Sequence, residues 1–447
     1  MAARSANIDM VRALYCNFFE RGIRYFFPEA AFQYAGAAAE IVPSLQFDLS
    51  DRTVCLEWMG SRYELARQAR AFSEHELRLL GAIGLVLSAR HRGIFSPPSS
   101  GYTAHLFEGL AEDRYVSAFL DHSPYMTDNG LPAERDVVAD ALEVLRQSSL
   151  ITYENRRIST GVILIGSERD PYHTIPESPA GALPYNSSLV GIKSFHRLCD
   201  GLHTVFLVDR KGMLLDLVDI EQFSAICSGV TLPAPSAARY RAHSVATLRG
   251  GHICLVLTPN GEIKVFAGGA QIMQFLEGRW RLTDVAEKYH AFHRAVGETR
   301  LAERLFTVAL NLADKRRGAL FVLLDRDGPS LGPAEHMVAI GDLLDGNAAE
   351  AFTKSQIHYL LRRKHVLELE PNVLQNIAQV DGGIVMDRGG RLLAFGAILR
   401  TDGRSIVALD GGRTTAALHA SRFGLALKVS EDGLVSFYRG GECVWEM

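Results

Sequence analysis

Two stretches of this 447-residue chain set out the same elements in the same order, and that recurrence limits the fold more than any other feature. The amphipathic helix pattern "PAERDVVADALEVLRQSSL" leads to the apolar strand "TGVILIGSERD" (160–170). A strand pair "HTVFLVDRKGMLLDLVDI" (203–220) follows, turning at Arg-Lys-Gly, then "GHICLVLTPNGEIKVFAGG" (251–269), turning at Asn260-Gly261. From residue 295 the order returns: the helix "ETRLAERLFTVALNLADKRR", the strand "GALFVLLDRDG", the hairpin "GGIVMDRGGRLLAFGAIL", then "GGRTTAALHASRF" and the hairpin "GLALKVSEDGLVSFYRGG". Arg241 precedes Thr258 by 17 residues and Arg413 precedes Ser430 by 17; Gly261 precedes Gly268 by 7 and Gly433 precedes Gly440 by 7. Order plus two shared spacings predict a structural duplication.

Asp200-Gly201 is expected to open the first hairpin as Asp381-Gly382 opens the second. Gly161 to Asp200 is 39 residues and Gly318 to Asp381 is 63, so the second copy carries 24 more in that segment. Ahead of both copies, Ser73 and Glu76 fit a capping box opening the helix "SEHELRLLGAIGLVLSARHR", "LQFDLSDRTVCLEWMG" reads as two strands about an Asp-Leu-Ser-Asp turn, and "SPPSSG" (96–101) reads as a loop. The expected fold class is α/β. An N-terminal α+β segment (1–132) comes first, then a degenerate α/β copy (133–292), then a C-terminal mixed sheet flanked by helices (293–447).

Composition mainly excludes. A net charge of −4 gives no field that would draw nucleic acid or acidic lipid. The six cysteines form no CxxC or CxxH pair, so there is no zinc-ligand spacing, and a reducing cytoplasm suits them. The most apolar window, "LGAIGLVLSA" (80–89), is far shorter than the roughly 20 residues that cross a bilayer. A cytoplasmic protein without nucleic-acid or membrane partners is expected.

The C-terminal copy holds the residues that could do chemistry. Asp381-Gly382-Gly383 stands where a strand begins. Glycines there would let a ligand approach the backbone, and the carboxylate could hold a hard cation. Gly412 and Arg413 open a helical pattern whose free N–H groups, joined by a guanidinium, suit a phosphate; Thr414 and Thr415 could donate hydroxyls to the same anion. An arginine at a helix start is electrostatically unfavourable unless an anion accompanies it, which makes Arg413 the most informative of these residues. Ser430-Glu431 at a hairpin turn supplies a second carboxylate. Together these are the parts of a metal–nucleoside triphosphate site.

"GALFVLL", "DGG", "GGRTTAA" and "VSEDGLVSFYRGG", taken in order, resemble the diadenylate cyclase (DAC) domain. That family carries a Gly-Ala-Leu strand, Asp-Gly-Ala, Arg-His-Arg-Ala-Ala and a Ser-Glu-Glu-x-Gly turn. The resemblance covers 295–447 and implies condensation of two ATP into cyclic di-AMP with release of two pyrophosphates. It also implies Mg²⁺ or Mn²⁺ as cofactor and pairing of two domains face to face in a homo-oligomer. Carried across, Asp381 serves the metal and the attacking hydroxyl, Arg413 grips phosphate and Glu431 serves the metal. The sequence departs from the family where the motif His is Thr414, the second Arg is Thr415 and the second Glu is Asp432. The layout is similar to that of family members with an N-terminal sensor region, here for an unidentified ligand. A nucleotide-binding sensor without turnover is the alternative.

Overall fold

The computed structural model describes residues 2–67, 70–95, 107, 109–126, 135–166, 179–192, 194–225, 227, 229–328, 332–345, 354–400 and 411–447. The loop expected at 96–101 and the strand end expected at 167–170 lie outside the described residues. The chain forms two compact units, Met1–Leu232 with Ala242–Asp284, and Pro233–Arg241 with Val285–Met447.

The first unit begins with α1 (Ala2–Phe26) and an antiparallel sheet of β1 (Ala31–Ala37), β2 (Gln46–Ser50), β3 (Thr53–Trp58) and β4 (Ser61–Ala66), in the order β1-β4-β3-β2. The turn between β2 and β3 is tighter than expected. Asp48 to Ser50 stay in the strand, and Asp51 takes the left-handed conformation, φ 52°. Helix α2 (Glu74–Phe95) starts with the predicted capping box. Ser73 N–H donates to Glu76 Oε2 at 2.9 Å and Glu76 N–H donates to Ser73 Oγ at 3.2 Å. Next come α3 (Ala111–Leu120) and α4 (Val137–Ser149), whose N-cap Asp136 accepts from Ala139 N–H at 2.9 Å and from Arg114 Nη1 at 2.9 Å.

After a two-residue ribbon of β5 (Thr152–Tyr153) and β6 (Arg156–Arg157) the first copy begins. It runs β7 (Thr160–Leu164), α5 (Phe195–Leu198), β8 (Thr204–Val208), β9 (Leu214–Asp219), α6 (Ile220–Ala225), α7 (Arg241–Ala246), β10 (Ile253–Leu257), β11 (Ile263–Ala267), β12 (Ala270–Leu276) and β13 (Arg279–Leu282). One hydrophobic core, from Tyr15 to Trp280, joins these elements to the N-terminal helices and sheet.

The second unit runs α8 (Val285–Val296), α9 (Thr299–Asp314), β14 (Ala319–Leu324), α10 (Pro371–Ala378), β15 (Gly383–Met386), β16 (Leu392–Ala397), α11 (Gly412–Ala420), β17 (Gly424–Val429), β18 (Val435–Arg439) and β19 (Glu442–Glu446). The longer stretch between β14 and β15 holds short 3₁₀ turns, such as Val366–Glu368, and α10.

The two large sheets share one topology. The orders are β9-β8-β7-β10-β11-β12 and β16-β15-β14-β17-β18-β19, and the first adds β13 at its far edge. In each sheet a single pair is parallel, β7 with β8 and β14 with β15; the remaining pairs are antiparallel. The α/β class and the duplication are both present. The register corrects one detail. Val208 faces Leu214 as Met386 faces Leu392, so five residues back His203, not Asp200, stands at the level of Asp381. Asp200 lies three residues earlier and serves its own loop: its Oδ1 accepts the N–H of Leu202, His203 and Thr204 at 2.8–3.0 Å.

β14 is buried along its whole length because both faces of its sheet are covered. Ala319, Phe321 and Leu323 join the core on the α9 side, whereas Leu320, Val322 and Leu324 join the cluster that includes Ala417 and Ala420 of α11. Among the described residues no helix is long and apolar enough to cross a membrane.

Glu76 holds the start of α2 through charge as well as capping. Arg67 Nη1 lies 2.6 Å from Glu76 Oε1, and Arg70 donates to both carboxylate oxygens at 2.7 and 2.8 Å. Burial alone raises the Glu76 carboxyl, but the hydrogen bond and charge of Arg70 and the charge of Arg67 bring it from an ordinary 4.5 down to about 2. A depressed pKa stabilises the fold above the unfolded value, and that contribution is lost as pH falls from 4.5 toward 2. It amounts to about 3 kcal/mol. Urea unfolding of the wild type and Glu76→Gln should therefore differ by about 3 kcal/mol above pH 5 and converge toward pH 2. A difference that ignores pH would contradict this role.

Candidate functional site

The register of β14 decides which residues meet. Phe321 pairs with Ile384 on the parallel side and with Leu427 on the antiparallel side. Three residues toward the start of β14, Gly318 is level with Asp381 on one side and with Ser430 on the other. Adjacent strands lie about 4.8 Å apart, so Asp381 and Ser430 flank Gly318 at one end of the sheet. Ser430 fixes the turn from β17 to β18: its Oγ accepts Leu434 N–H at 3.2 Å, its N–H donates to Leu434 O at 2.8 Å, and Gly433 takes φ 90°. The next residue, Glu431, points outward with its side chain 69% exposed.

Arg413 reaches the same place from α11. Gly411 is the N-cap, with φ 82° and no side-chain cap, and Arg413 is the second residue of the helix. Its guanidinium lies against Gly318, where a Cβ would run into Nη1. Nη1 donates to Glu431 Oε1 at 2.8 Å. That hydrogen bond, then the charge of Arg413, lowers the Glu431 carboxyl below its ordinary value, and Arg317 adds to the effect. The anion expected beside Arg413 is thus present within the chain, and it is Glu431.

The other predicted residues occupy varied surroundings. Asp381 is exposed in the bend before β15, and among the described residues its carboxylate takes no hydrogen bond. Gly382 has φ 105°, and a Cβ on it would lie 2.5 Å from the Gly396 carbonyl carbon; on Gly383 it would lie 3.3 Å from Leu320 O. The close backbone that makes Gly382 a glycine is therefore the neighbouring strand β16. Gly412 is the opposite case. It is exposed, and a Cβ there would meet nothing within 4 Å. Thr415 Oγ1 donates to Gly411 O at 3.3 Å. Thr414 Oγ1 accepts from Lys428 Nζ at 3.1 Å. Lys428, on β17, is the residue that sequence reasoning missed.

Asp381 and Glu431 are two hard oxygen donors at one sheet end, and among the described residues no group of three or more His, Cys, Asp or Glu is placed to hold a metal. Two carboxylates suit Mg²⁺ or Mn²⁺ completed by phosphate oxygens better than an all-protein cage.

The first copy keeps the frame without this chemistry. The shared spacing from Arg241 and Arg413 places Pro259 at the position of Glu431 and Val256 at that of Lys428. His203 stands at the level of Asp381 and contacts Asp200 through Nδ1 at 2.8 Å. Burial would raise the Asp200 carboxyl, but the backbone N–H of Thr204 and the hydrogen bonds from His203 and Leu202 take it well below the usual range.

No family model and no curated protein matches the chain. Among solved structures, it is similar to a hypothetical membrane spanning protein from Bacillus cereus, at 21% identity over 35% of this chain and 69% of that one, with a TM-score of 0.26. It is also similar to a double mutant of DacA from Staphylococcus aureus, at 22% identity over 33% of this chain and 86% of that one, with a TM-score of 0.21. Likeness at this level says nothing about activity.

The contrast between the two glycines can be measured. Gly382→Ala should lose about 2–4 kcal/mol in urea unfolding, because it strains a positive φ and presses on β16. Gly412→Ala should change stability by no more than about 1 kcal/mol, in the stabilising direction, since alanine favours the helix and meets nothing. Equal losses in the two variants would contradict these surroundings.

Proposed function

We propose that the second unit is a diadenylate cyclase domain that condenses two ATP into cyclic di-AMP and releases two pyrophosphates. The observation that carries this reading is the common end of β14, β15 and β17, where Asp381 is level with Gly318 and Arg413 lies against Gly318 and pairs with Glu431.

Arg413 is held by an exposed carboxylate, and exposed ion pairs are weak. A triphosphate can therefore take the guanidinium from Glu431, which frees the carboxylate. The first-turn N–H groups of α11, which take no cap from the side chain of the N-cap residue Gly411, and the open side of Gly412 leave the phosphates room to reach the backbone. Asp381 and Glu431 would hold Mg²⁺ or Mn²⁺, which when bound supplies a Lewis acid for the phosphate charge and the attacking hydroxyl. Asp381 also lies free to accept the hydroxyl proton. The ribose 3′-oxygen of one nucleotide bonds to the α-phosphorus of the other, the bond from that phosphorus to the bridging oxygen breaks, and pyrophosphate leaves; a second, identical step closes the ring. Each nucleotide needs a partner facing it, so the active form is a pair of these domains, a homo-oligomer. The first unit, with its eroded copy, suits a regulatory region for a ligand yet to be identified.

One observation favours the alternative, a nucleotide-binding sensor without turnover. Arg413 and Glu431 satisfy each other, and the positions of two further motif cations carry Thr414 and Thr415.

Purified full-length protein, incubated with ATP and Mg²⁺ or Mn²⁺, should yield cyclic di-AMP detected by mass spectrometry, and Asp381→Asn should reduce the yield about 100-fold or more. ATP-dependent thermal stabilisation without product would favour the sensor. Absence of both signals would end both readings.

A further inference from the structure

Lys428 is a cation where a buried sheet position calls for an apolar side chain. Along β17, Leu427 and Val429 join the core on the α9 side, while Ala426 belongs to the cluster on the α11 side. Alternation places Lys428 on that second face, opposite Leu320 of β14 and Ser436 of β18. The residue is 8% exposed. Its ammonium donates to Thr414 Oγ1 at 3.1 Å and lies 5.9 Å from the Tyr438 ring centroid. Among the described residues no carboxylate pairs with it; Glu446, on the edge strand β19 beyond β18, accepts from Ser436 Oγ at 2.9 Å. An ammonium has three donors, and a buried charge without a counter-ion is costly. Here one hydroxyl and one aromatic face stand in for a counter-ion.

The position of that ammonium gives it a purpose. Thr414 is the third residue of α11, so Lys428 supports the first turn of a helix whose N-cap offers no side-chain acceptor. Arg413 stands on the same turn. Helix dipole, guanidinium and ammonium therefore add at one point, and among the described acids at this sheet end Glu431 is exposed and hydrogen-bonded to Arg413 while Asp381 is exposed. The equivalent position in the first copy is Val256, in a β10 strand buried along its length. The buried lysine of that row in the first copy is Lys264, opposite Val256, and it lies 3.8 Å from a carboxylate oxygen of Glu262; Lys428 has no such partner among the described residues.

We propose that Lys428 binds an anionic oxygen of a polyphosphate at the first turn of α11, supplying from the strand the positive charge that Thr414 and Thr415 do not carry on the helix. The inference rests on α11 as the phosphate end of the proposed site, and it deepens that reading by naming a residue that selects for the polyphosphate. Thr414 is then the guide for the ammonium: it holds Nζ at the turn before the ligand arrives and shares it afterwards. The cyclase chemistry is not needed for this; a sensor that binds nucleoside triphosphates would use the same contact.

Isothermal titration calorimetry of the full chain with inorganic tripolyphosphate, without metal, tests the proposal. The wild type should bind. Lys428→Met should weaken binding about 10- to 100-fold, as expected for loss of one charged hydrogen bond. Its unliganded melting temperature should be unchanged or raised, because an unpaired buried charge has been removed. Lys428→Gln keeps a donor for Thr414 without the charge, and should lose affinity to the same extent. Binding by either folded variant within twofold of the wild type would overturn the proposal, and so would a wild type that does not bind tripolyphosphate. Failure here is distinct from failure of the cyclase reading. A wild type that binds through Lys428 yet makes no cyclic di-AMP retains the anion site and loses the cyclase, whereas undiminished cyclic di-AMP synthesis and tripolyphosphate binding by Lys428→Met do the reverse.

Discussion

The pairing of β14 with unlike neighbours governs the second unit. Its parallel partner β15 begins at the same end as β14, and its antiparallel partner β17 finishes there. One sheet end thereby collects the bend before β15 and the turn after β17, which are distant in sequence. A sheet with antiparallel partners on both sides of its central strand would have sent Asp381 to the opposite end. The first unit has the same mixed pairing around β7, and its corresponding loops meet in the same way. The geometry is therefore common to both copies, and the difference between them lies in which side chains that geometry gathers.

Gly318 links this frame to its electrostatics. The absence of a Cβ leaves room for the Arg413 guanidinium directly on the strand end. Without compensation, a cation in the first turn of a helix opposes the helix dipole. Glu431 provides the compensation at 2.8 Å, and being exposed it can be exchanged for a stronger anion. Lys428 meets the same turn from beneath through Thr414. Arg413 and Lys428 thus stand with Asp381 and Glu431 at this end of the sheet, and Arg413 and Glu431 are set against each other.

The duplication was legible because turn glycines and helix starts obey local rules that survive changes elsewhere in the chain. Gly261 and Gly433 have φ of 80° and 90°, and an arginine stands 17 residues before the residue that opens each turn. The capping box at Ser73 and Glu76 was legible for the same reason. Asp200 misled because Asp-Gly is a good marker of a turn and a poor marker of register, which the ladder alone sets. At Gly382 the sequence shows that the backbone is special, but not that β16 is the strand lying close to it. Lys428 was silent, and so was the part Gly318 plays as the seat of Arg413. A glycine ahead of a strand reads as a boundary, and a single lysine in an apolar run reads as an exposed position until the opposing helix is seen.

A crystal structure of the protein with a non-hydrolysable ATP analogue and Mn²⁺ tests the central claim most directly. The account predicts an anomalous manganese peak held by Asp381 and Glu431, with Arg413 moved from Glu431 onto the phosphates. A nucleotide bound away from the shared end of β14, β15 and β17, or one bound there with the Arg413–Glu431 pair intact and no metal between the carboxylates, would contradict it.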